Sequence, residues 1–187
     1  MAQIDTEIFG HSLSFMTNKG CFSPQSVDRG TLALLARSNV QKGNKVHDLG
    51  CGYGAAGIAC AKITGEENVF LSDIKNTYLA AENAKLNGVP GVNVIVSDGY
   101  KAFDETGFDL ILCNPPYHSD FSIAKHFIEK GFNRLIIGGR MLFVVKRLKW
   151  YKMKFTAIFG GVRVYEEEGG YYVLESAKKT DRYANKF

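Results

Sequence analysis

What most constrains this chain of 187 residues is a rhythm. From residue 44 onward, short apolar runs and helix-like segments take turns. NKVHDLG ends in glycine and opens onto GAAGIACAKIT, which is rich in small residues; NVFLSD gives way to NTYLAAENAKLNG, closed by Gly88 in the terminal position where helices favour glycine. VNVIVSD and FDLILCN follow, then SDFSIAKHFIEKGFNRLI with its apolar residues near helical spacing, then GGRMLFVVK. LKWYKMKFTAIFG reads as a last helix, and VRVYEEEGGYYVLESAKK as two strands joined by a tight Gly-Gly turn. Parallel neighbours need long crossovers and the intervening helices supply them. The order therefore predicts an α/β fold, a mostly parallel sheet of seven strands covered by helices on both faces. The closing hairpin must reverse one strand near the sheet edge. Upstream, Ser23 followed by Pro24 predicts a helix start, a side-chain cap with proline in the first helical position, running through VDRGTLALLARS to about Ser38.

Composition adds limits. Hydrophobic residues make up 45 % and charged residues 22 %, which is ordinary for a globular chain large enough to need no staple. The opening MAQIDTEIFG carries acids and no apolar stretch after a basic start, so no secretory signal is read there, and nowhere is there an apolar run long enough to cross a membrane. The expectation is a cytoplasmic protein with no membrane partner. Cys21, Cys51, Cys60 and Cys113 show neither a C-x-x-C pair nor matching histidine spacing, which argues against zinc and against a disulfide framework, and for reduced core residues. A net charge of +4 permits a polyanionic partner without demanding one. Its distribution is uneven: KRLKWYKMK at 146–154 places five cations among aromatics with no acid, and KKTDRYANKF adds four against one. Alone, these are a solvated helix face and a frayed terminus; beside an active site they become candidate phosphate contacts.

In open sheets of this kind ligands sit outside the carboxyl ends of the strands. Those ends carry DLG at 48–50, SD at 72–73, SD at 97–98 and CNPPY at 113–117. Gly50, Gly52 and Gly54 follow a strand and open a helix, so the backbone turns sharply and can approach a ligand. GYGAAG at 52–57 also satisfies the G-x-G-x-x-G dinucleotide fingerprint. Asp48 separates the two readings. It sets a carboxylate where a dinucleotide would bring its anionic pyrophosphate, whereas the ammonium and sulfonium of S-adenosylmethionine would be attracted. Asp73, about 20 residues beyond the glycines, is placed to accept two ribose hydroxyls. Asp98 is placed to accept the adenine amino group. Each aspartate alone equally fits a helix cap or a turn; three in register at successive strand ends favour a nucleoside site. Pro115 and Pro116 donate no backbone hydrogen, so the fourth strand must stop at Asn114 and present an amide and, at Tyr117, an aromatic ring on a rigid loop.

Taken in order and at these spacings, DLGCGYG, SD, SD and NPPYH resemble the class I S-adenosylmethionine-dependent methyltransferases that modify exocyclic nitrogens. Within that class the resemblance is to the small-domain family that includes the bacterial 16S ribosomal RNA guanine-N2 methyltransferases, in which an Asn-Pro-Pro-aromatic loop is typically followed by histidine. GCFSPQSVDRGTLALL at 20–35 looks like that family's segment before the first helix, and FGGVRVYEEEGGYYVLESAKK at 159–179 like its terminal hairpin, so the likeness spans nearly the whole chain. It implies a Rossmann-like class I methyltransferase fold in a single domain, 1–187, whose residues 1–40 form an amino-terminal segment and helix covering the cofactor site. The implied cofactor is S-adenosyl-L-methionine, with Asp48, Gly50, Gly52, Gly54, Asp73, Asp98 and, by resemblance alone, Phe22 around it. No metal is implied.

The chemistry accounts for the loop. The amino nitrogen of a base or an amide has its lone pair delocalised and is a poor nucleophile. If the Asn114 side-chain oxygen and the Pro115 carbonyl each accept one N–H, the nitrogen is drawn toward tetrahedral geometry and its lone pair is aimed at the methyl group. The charge developing on it then meets fixed dipoles. Pro116 adds rigidity, and Tyr117 is placed to stack on the target base. His118 reads equally as a pocket residue or as a polar helix entry. The implied function is methylation of an exocyclic amino group, guanine N2 of ribosomal RNA, with RNA or a ribosomal subunit as partner.

Rival readings differ in what surrounds the loop. Release-factor glutamine methyltransferases also use NPPY on an amide nitrogen but resemble two-part proteins with an amino-terminal helical domain, and only about 40 residues precede the first strand read here. DNA adenine-N6 methyltransferases need a sequence-reading region that is not found. A noncatalytic RNA-binding module of the same fold would lose the glycines or the Asn-Pro-Pro loop, and both are intact. Several family members carry a second methyltransferase-like half. One unit is read here, which leaves RNA recognition to the stretch Lys146 to Lys154 or to contacts supplied by a partly assembled subunit.

Overall fold

Residues 46–49, VHDL, are buried at every position, which requires a central strand covered on both faces. The computed structural model describes residues 1–115 and 121–185. Among them the order is β1 (Ala2–Ile8), β2 (His11–Thr17), α1 (Arg29–Ser38), β3 (Val46–Leu49), α2 (Ala55–Thr64), β4 (Val69–Asp73), α3 (Thr77–Leu86), β5 (Asn93–Val96), β6 (Phe108–Cys113), α4 (Phe121–Arg134), β7 (Leu135–Val145), α5 (Leu148–Phe159), β8 (Arg163–Glu167) and β9 (Tyr171–Ala177). Seven strands form one sheet in the order β5-β4-β3-β6-β7-β9-β8. β3 pairs in parallel with β4 and β6, β4 with β5, and β6 with β7. β9 runs against both of its neighbours, β7 and β8. The sheet is the one the alternation predicts, with its reversed strand in the closing hairpin.

Side chains alternate across a strand, and that alternation sorts the core into two layers. Val46, Leu110, Leu112, Leu142 and Val144 pack with Leu34 of α1, Ile58 of α2 and Leu79 of α3. Leu49, Ile111, Cys113, Met141 and Phe143 face the other way, onto Ile128 of α4 and Phe155 of α5. Asp48 shares the parity of Val46 and so points toward α2. The four cysteines are buried and free. Among the described residues no helix is long and apolar enough to cross a membrane.

Three local expectations need correction. The sequence reading places no strand ahead of residue 46, yet β1 and β2 form an antiparallel hairpin. Its two-residue turn, Phe9 and Gly10, has φ of 56° and 75°. Turns of that hand match the twist of the strands, but phenylalanine is a rare occupant, and the usual Asn-Gly or Asp-Gly signal is missing. Next, α1 begins at Arg29, capped by Asp28, whose carboxylate accepts the Thr31 N–H at 3.1 Å. Ser23 instead sits at φ 54°, its hydroxyl donating to the Ser26 carbonyl at 2.7 Å, while the Pro24 carbonyl is taken by the Thr17 hydroxyl at 2.7 Å. Residues 23–26 are thus consumed by the turn that brings the chain back from the hairpin. Finally, β7 starts before Gly138 and slips register against β6, Phe108 facing Leu135 but Leu110 facing Arg140. A Cβ at Gly139 would lie 2.6 Å from the Phe108 carbonyl oxygen, so this detour needs glycine.

Candidate active site

The chain reverses between β3 and α2 through Gly50, Gly52 and Gly54 at φ of 78°, 56° and 95°, conformations that other residues rarely adopt. Their roles differ. A Cβ on Gly54 would meet Ile58 Cδ1 at 2.9 Å, and one on Gly57 would meet Leu71 Cγ at 2.9 Å and Asp48 Cβ at 3.1 Å, so these two let α2 pack against the sheet. Gly50 and Gly52 look onto open space. The turn is pinned to β4: the Gly50 and Cys51 N–H groups donate to the Ser72 carbonyl at 2.8 and 3.0 Å, and the Gly52 N–H donates to Asp73 Oδ2 at 2.8 Å. Tyr53 is buried, its ring 5.7 Å from that of Phe15 in β2, which ties the turn to the amino-terminal hairpin.

Asp48 is 4 % exposed and accepts the Gly57 N–H at 2.7 Å. Burial pushes its carboxyl up to about 7; the Gly57 bond opposes that rise and the Asp73 charge adds to it. A carboxyl held there gains from any cation that arrives beside it. Asp73 is fixed by two backbone donors, Gly52 to Oδ2 and Lys75 to Oδ1, each at 2.8 Å. A carboxylate has about four lone-pair sites, so acceptor capacity remains for two hydroxyls. Val96, opposite Asp73 across β4 and β5, is 66 % exposed, and Ile74 is 60 % exposed. Uncovered aliphatics beside such a carboxylate suit the flat face of a nucleoside base. Sequence reading missed both, although each flanks a strand-terminal Ser-Asp.

Two expected residues are exposed. Asp98 is exposed and ion-paired with Lys101 three residues on. Phe22 is 54 % exposed on the segment between β2 and α1. In that segment the Asn18 side chain accepts from the Gly20 N–H at 2.8 Å and donates to the Tyr78 hydroxyl at 2.9 Å, so it is tied to the first turn of α3.

Asn114 follows directly on β6. Leu49 and Cys113 are partners across β3 and β6, so Asn114 stands beside Gly50 at the same level of the sheet. Its Nδ2 donates to Asp28 Oδ2 at 2.9 Å and to Thr31 Oγ1 at 3.0 Å, both at the start of α1. Pro115 is buried. Pro116 and Tyr117, expected to complete the loop, and His118 lie outside the described residues.

At the start of α4, Phe121 stacks on Trp150 at 4.4 Å, and the two line an open groove of about 430 Å³ with Arg147, Leu148, Lys149 and Met153. The cations of 146–154 divide. Lys154 pairs with Glu129 at 2.6 Å and is half-buried; Lys146 lies 4.5 Å over the Tyr171 ring and, like Lys149 and Lys152, is exposed. The described parts thus set a backbone turn with an open face, two fixed carboxylates and an uncovered apolar edge beside a strand tip that carries an amide. Such parts have the chemistry to bind and orient a cationic nucleoside-type ligand next to a second reactant.

A family model described as methyltransferase small domain matches residues 12–175. The chain is 32 % identical over 173 residues to the ribosomal RNA small subunit methyltransferase C of Serratia proteamaculans (strain 568), a match covering 89 % of this chain and 49 % of that protein. It is 28 % identical over 178 residues to the ribosomal RNA large subunit methyltransferase G of Pseudomonas putida (strain GB-1), covering 89 % and 47 %. Among solved structures it is similar to the 16S rRNA N2 methyltransferase RsmC of T. thermophilus in complex with AdoMet and guanosine, with TM-score 0.86, 26 % identity, and 95 % of this chain and 50 % of that one covered. The chain spans about half the length of these relatives.

Proposed function

This chain belongs to the methyltransferase small domain family, and from that premise we propose that it transfers the methyl group of S-adenosyl-L-methionine to the exocyclic N2 of a guanine in ribosomal RNA. The observation that carries the reading is the placement of Asn114 at the tip of β6, beside a glycine turn whose face is open at Gly50 and Gly52. The residues present fit the cofactor: Asp48 is a buried carboxyl that gains from a cation, and Asp73 retains acceptor capacity next to exposed Ile74 and Val96. When bound, the cofactor supplies a methyl carbon made electrophilic by a sulfonium. Every other task falls to the protein.

Asp73 accepts the ribose hydroxyls and Asp48 offsets the positive charge, while Ile74 and Val96 exclude water from the base. Asp98 and Phe22 belong to the same site in this reading, at its outer margin. The Asn114 side-chain oxygen and the Pro115 carbonyl accept the two N–H bonds of the target amino group, so the nitrogen lone pair is exposed toward the methyl donor. As positive charge develops on that nitrogen, the two dipoles stabilise it without reorganising, and one of its N–H protons then passes to solvent to leave the neutral methylamino product. Pro116 holds the loop rigid and Tyr117 stacks on the base. Residues 1–187 act as one catalytic domain, with 1–40 closing over the cofactor, a role supported by the Asn18 to Tyr78 link. The assignment to ribosomal RNA is supported by the named substrates of the relatives, and the cytoplasm is where that substrate is found.

The test is to incubate the protein with labelled cofactor and separate pools of ribosomal RNA, transfer RNA, DNA and release factor. Label in ribosomal RNA, recovered as N2-methylguanine, is expected; label in protein alone overturns the substrate. Asn114→Ala should leave cofactor affinity nearly intact and lose most turnover, whereas Asp73→Ala should weaken cofactor binding, each read by calorimetry alongside the label assay.

A further inference from the structure

An asparagine amide is nearly symmetric in shape, so a pocket that needs its oxygen must also prevent it from presenting its nitrogen. The two orientations are chemically opposite: one offers a target N–H an acceptor, the other meets it with two donors. At the tip of β6 the choice is made from outside the loop. One Nδ2 hydrogen bond of Asn114 goes to Asp28 Oδ2 at 2.9 Å and another to Thr31 Oγ1 at 3.0 Å. We infer that Asp28, with Thr31, is a positioning residue that orients the Asn114 amide so that Oδ1, and not Nδ2, is turned to the substrate amino group. This rests on the reading of Asn114 as the acceptor for that group.

The two partners are not equivalent. A hydroxyl both donates and accepts, so Thr31 alone tolerates either orientation. A carboxylate only accepts, so a flipped amide would set Oδ1 against Asp28 Oδ2 and lose a charge-assisted bond. Asp28 is therefore the discriminating group. It is itself held from two sides: Oδ2 also takes the Thr31 N–H at 3.1 Å as the cap of α1, and Oδ1 faces the Tyr171 hydroxyl of β9 at 3.3 Å. Cap and amide share one oxygen, so the geometry that starts the helix is the geometry that sets Asn114. The carboxylate has a second effect. By drawing on the amide hydrogens it polarises the group and makes its oxygen a stronger acceptor for a nitrogen that is becoming positive.

The experiment uses Asp28→Asn, which preserves shape and the helix cap, because asparagine caps about as well as aspartate. The oxygen shared by the cap and the Asn114 amide becomes a neutral amide oxygen, so the bond that holds the Asn114 amide loses its charge assistance and weakens about twofold. The side-chain NH2 pair of Asn114, assigned in 15N–1H spectra by its loss in Asn114→Ala, is expected to exchange slowly with solvent in the parent and faster in Asp28→Asn. In the same variant kcat should fall on the order of 10-fold to 100-fold, with cofactor Kd and Tm unchanged. Thr31→Val should show a smaller loss that Thr31→Ser restores. An NH2 pair that behaves identically in parent and Asp28→Asn overturns the inference, whatever the activity. A fall in Tm and cofactor binding that matches the fall in kcat overturns it too, since that is a structural effect only. If the parent methylates no amino substrate while the NH2 pair is still released by Asp28→Asn, the orienting contact stands and the functional reading falls.

Discussion

A carboxylate buried beneath a glycine turn, as Asp48 is, destabilises the fold once it ionises. Burial lifts its pKa from 3.8 to about 7, so across that range the folded chain keeps a proton that the unfolded chain has released, and stability falls as pH rises. Asp48→Asn should therefore raise Tm by several degrees at pH 8, at roughly 2–4 °C per kcal/mol for a chain of this size, and weaken cofactor binding at the same time. His47 has the opposite slope. It is fully enclosed, bonded to Ser72 Oγ at 2.7 Å and stacked 4.3 Å from Phe103. Burial, with the Arg134 charge adding to it, presses its pKa from 6.5 to about 3. Its stabilising contribution is full above pH 6.5 and is lost as pH falls from there. With Asp48 removed, the His47 slope is unmasked. A pH series of melting curves should show the Asp48→Asn advantage shrinking below pH 7 and the variant losing stability to acid more steeply than the parent; parallel curves would refute this. Asp48 and Asp73 were legible in the sequence as strand-end carboxylates. Their donors, Gly57 and Gly52, were not, because those bonds form across a turn whose path only the glycine dihedrals define.

The amino-terminal hairpin has a free edge on β2, and α3 covers it by an unusual match of periods. Asn83 accepts the Met16 N–H at 2.7 Å and donates to the Met16 carbonyl at 3.0 Å, and Asn87 does the same for Ser14 at 3.0 and 2.7 Å. Four helical residues rise about 6 Å and two strand residues about 6.6 Å, so the two amides act as a neighbouring strand would. Asn83 also donates to the Tyr53 carbonyl at 2.9 Å, inside the glycine turn. Asn83→Ala strands the buried Tyr53 carbonyl and two part-buried backbone groups of Met16, and should destabilise the fold by about 2 kcal/mol, given ~1–3 kcal/mol per buried unsatisfied group. Urea unfolding measures the loss, and faster amide exchange at Met16 localises it. The strand and helix alternation from β3 to β9 was legible because apolar spacing is a local property. The hairpin was not, since Phe9 adopts a positive φ that its residue type does not advertise.

At the scale of the molecule, a parallel sheet delivers the ends of β3, β4, β5 and β6 to one edge, which is why residues scattered from 48 to 114 meet there. Substrate capture is then a matter of the surface around that edge. Lys149, which lines the Phe121 and Trp150 groove, and Lys152, one turn on along α5, are exposed. If both touch phosphates of the proposed RNA, replacing them with Gln should reduce the slope of log K against log salt by roughly 1.4–1.8, at about 0.7–0.9 per contact. Tm should stay unchanged; an unaltered slope in a filter-binding titration would move the RNA path elsewhere.

By itself the sequence determined the elements, their order and therefore a mostly parallel sheet with its aspartates and Asn114 at strand ends, because periodicity, glycine and proline act on the chain within a few residues. Only the tertiary structure decided that Asn114 stands beside Gly50 and that Asp28, 86 residues away, holds its amide. Contacts over such separations depend on how the whole chain closes on itself, and no local pattern encodes which distant partner a side chain will meet.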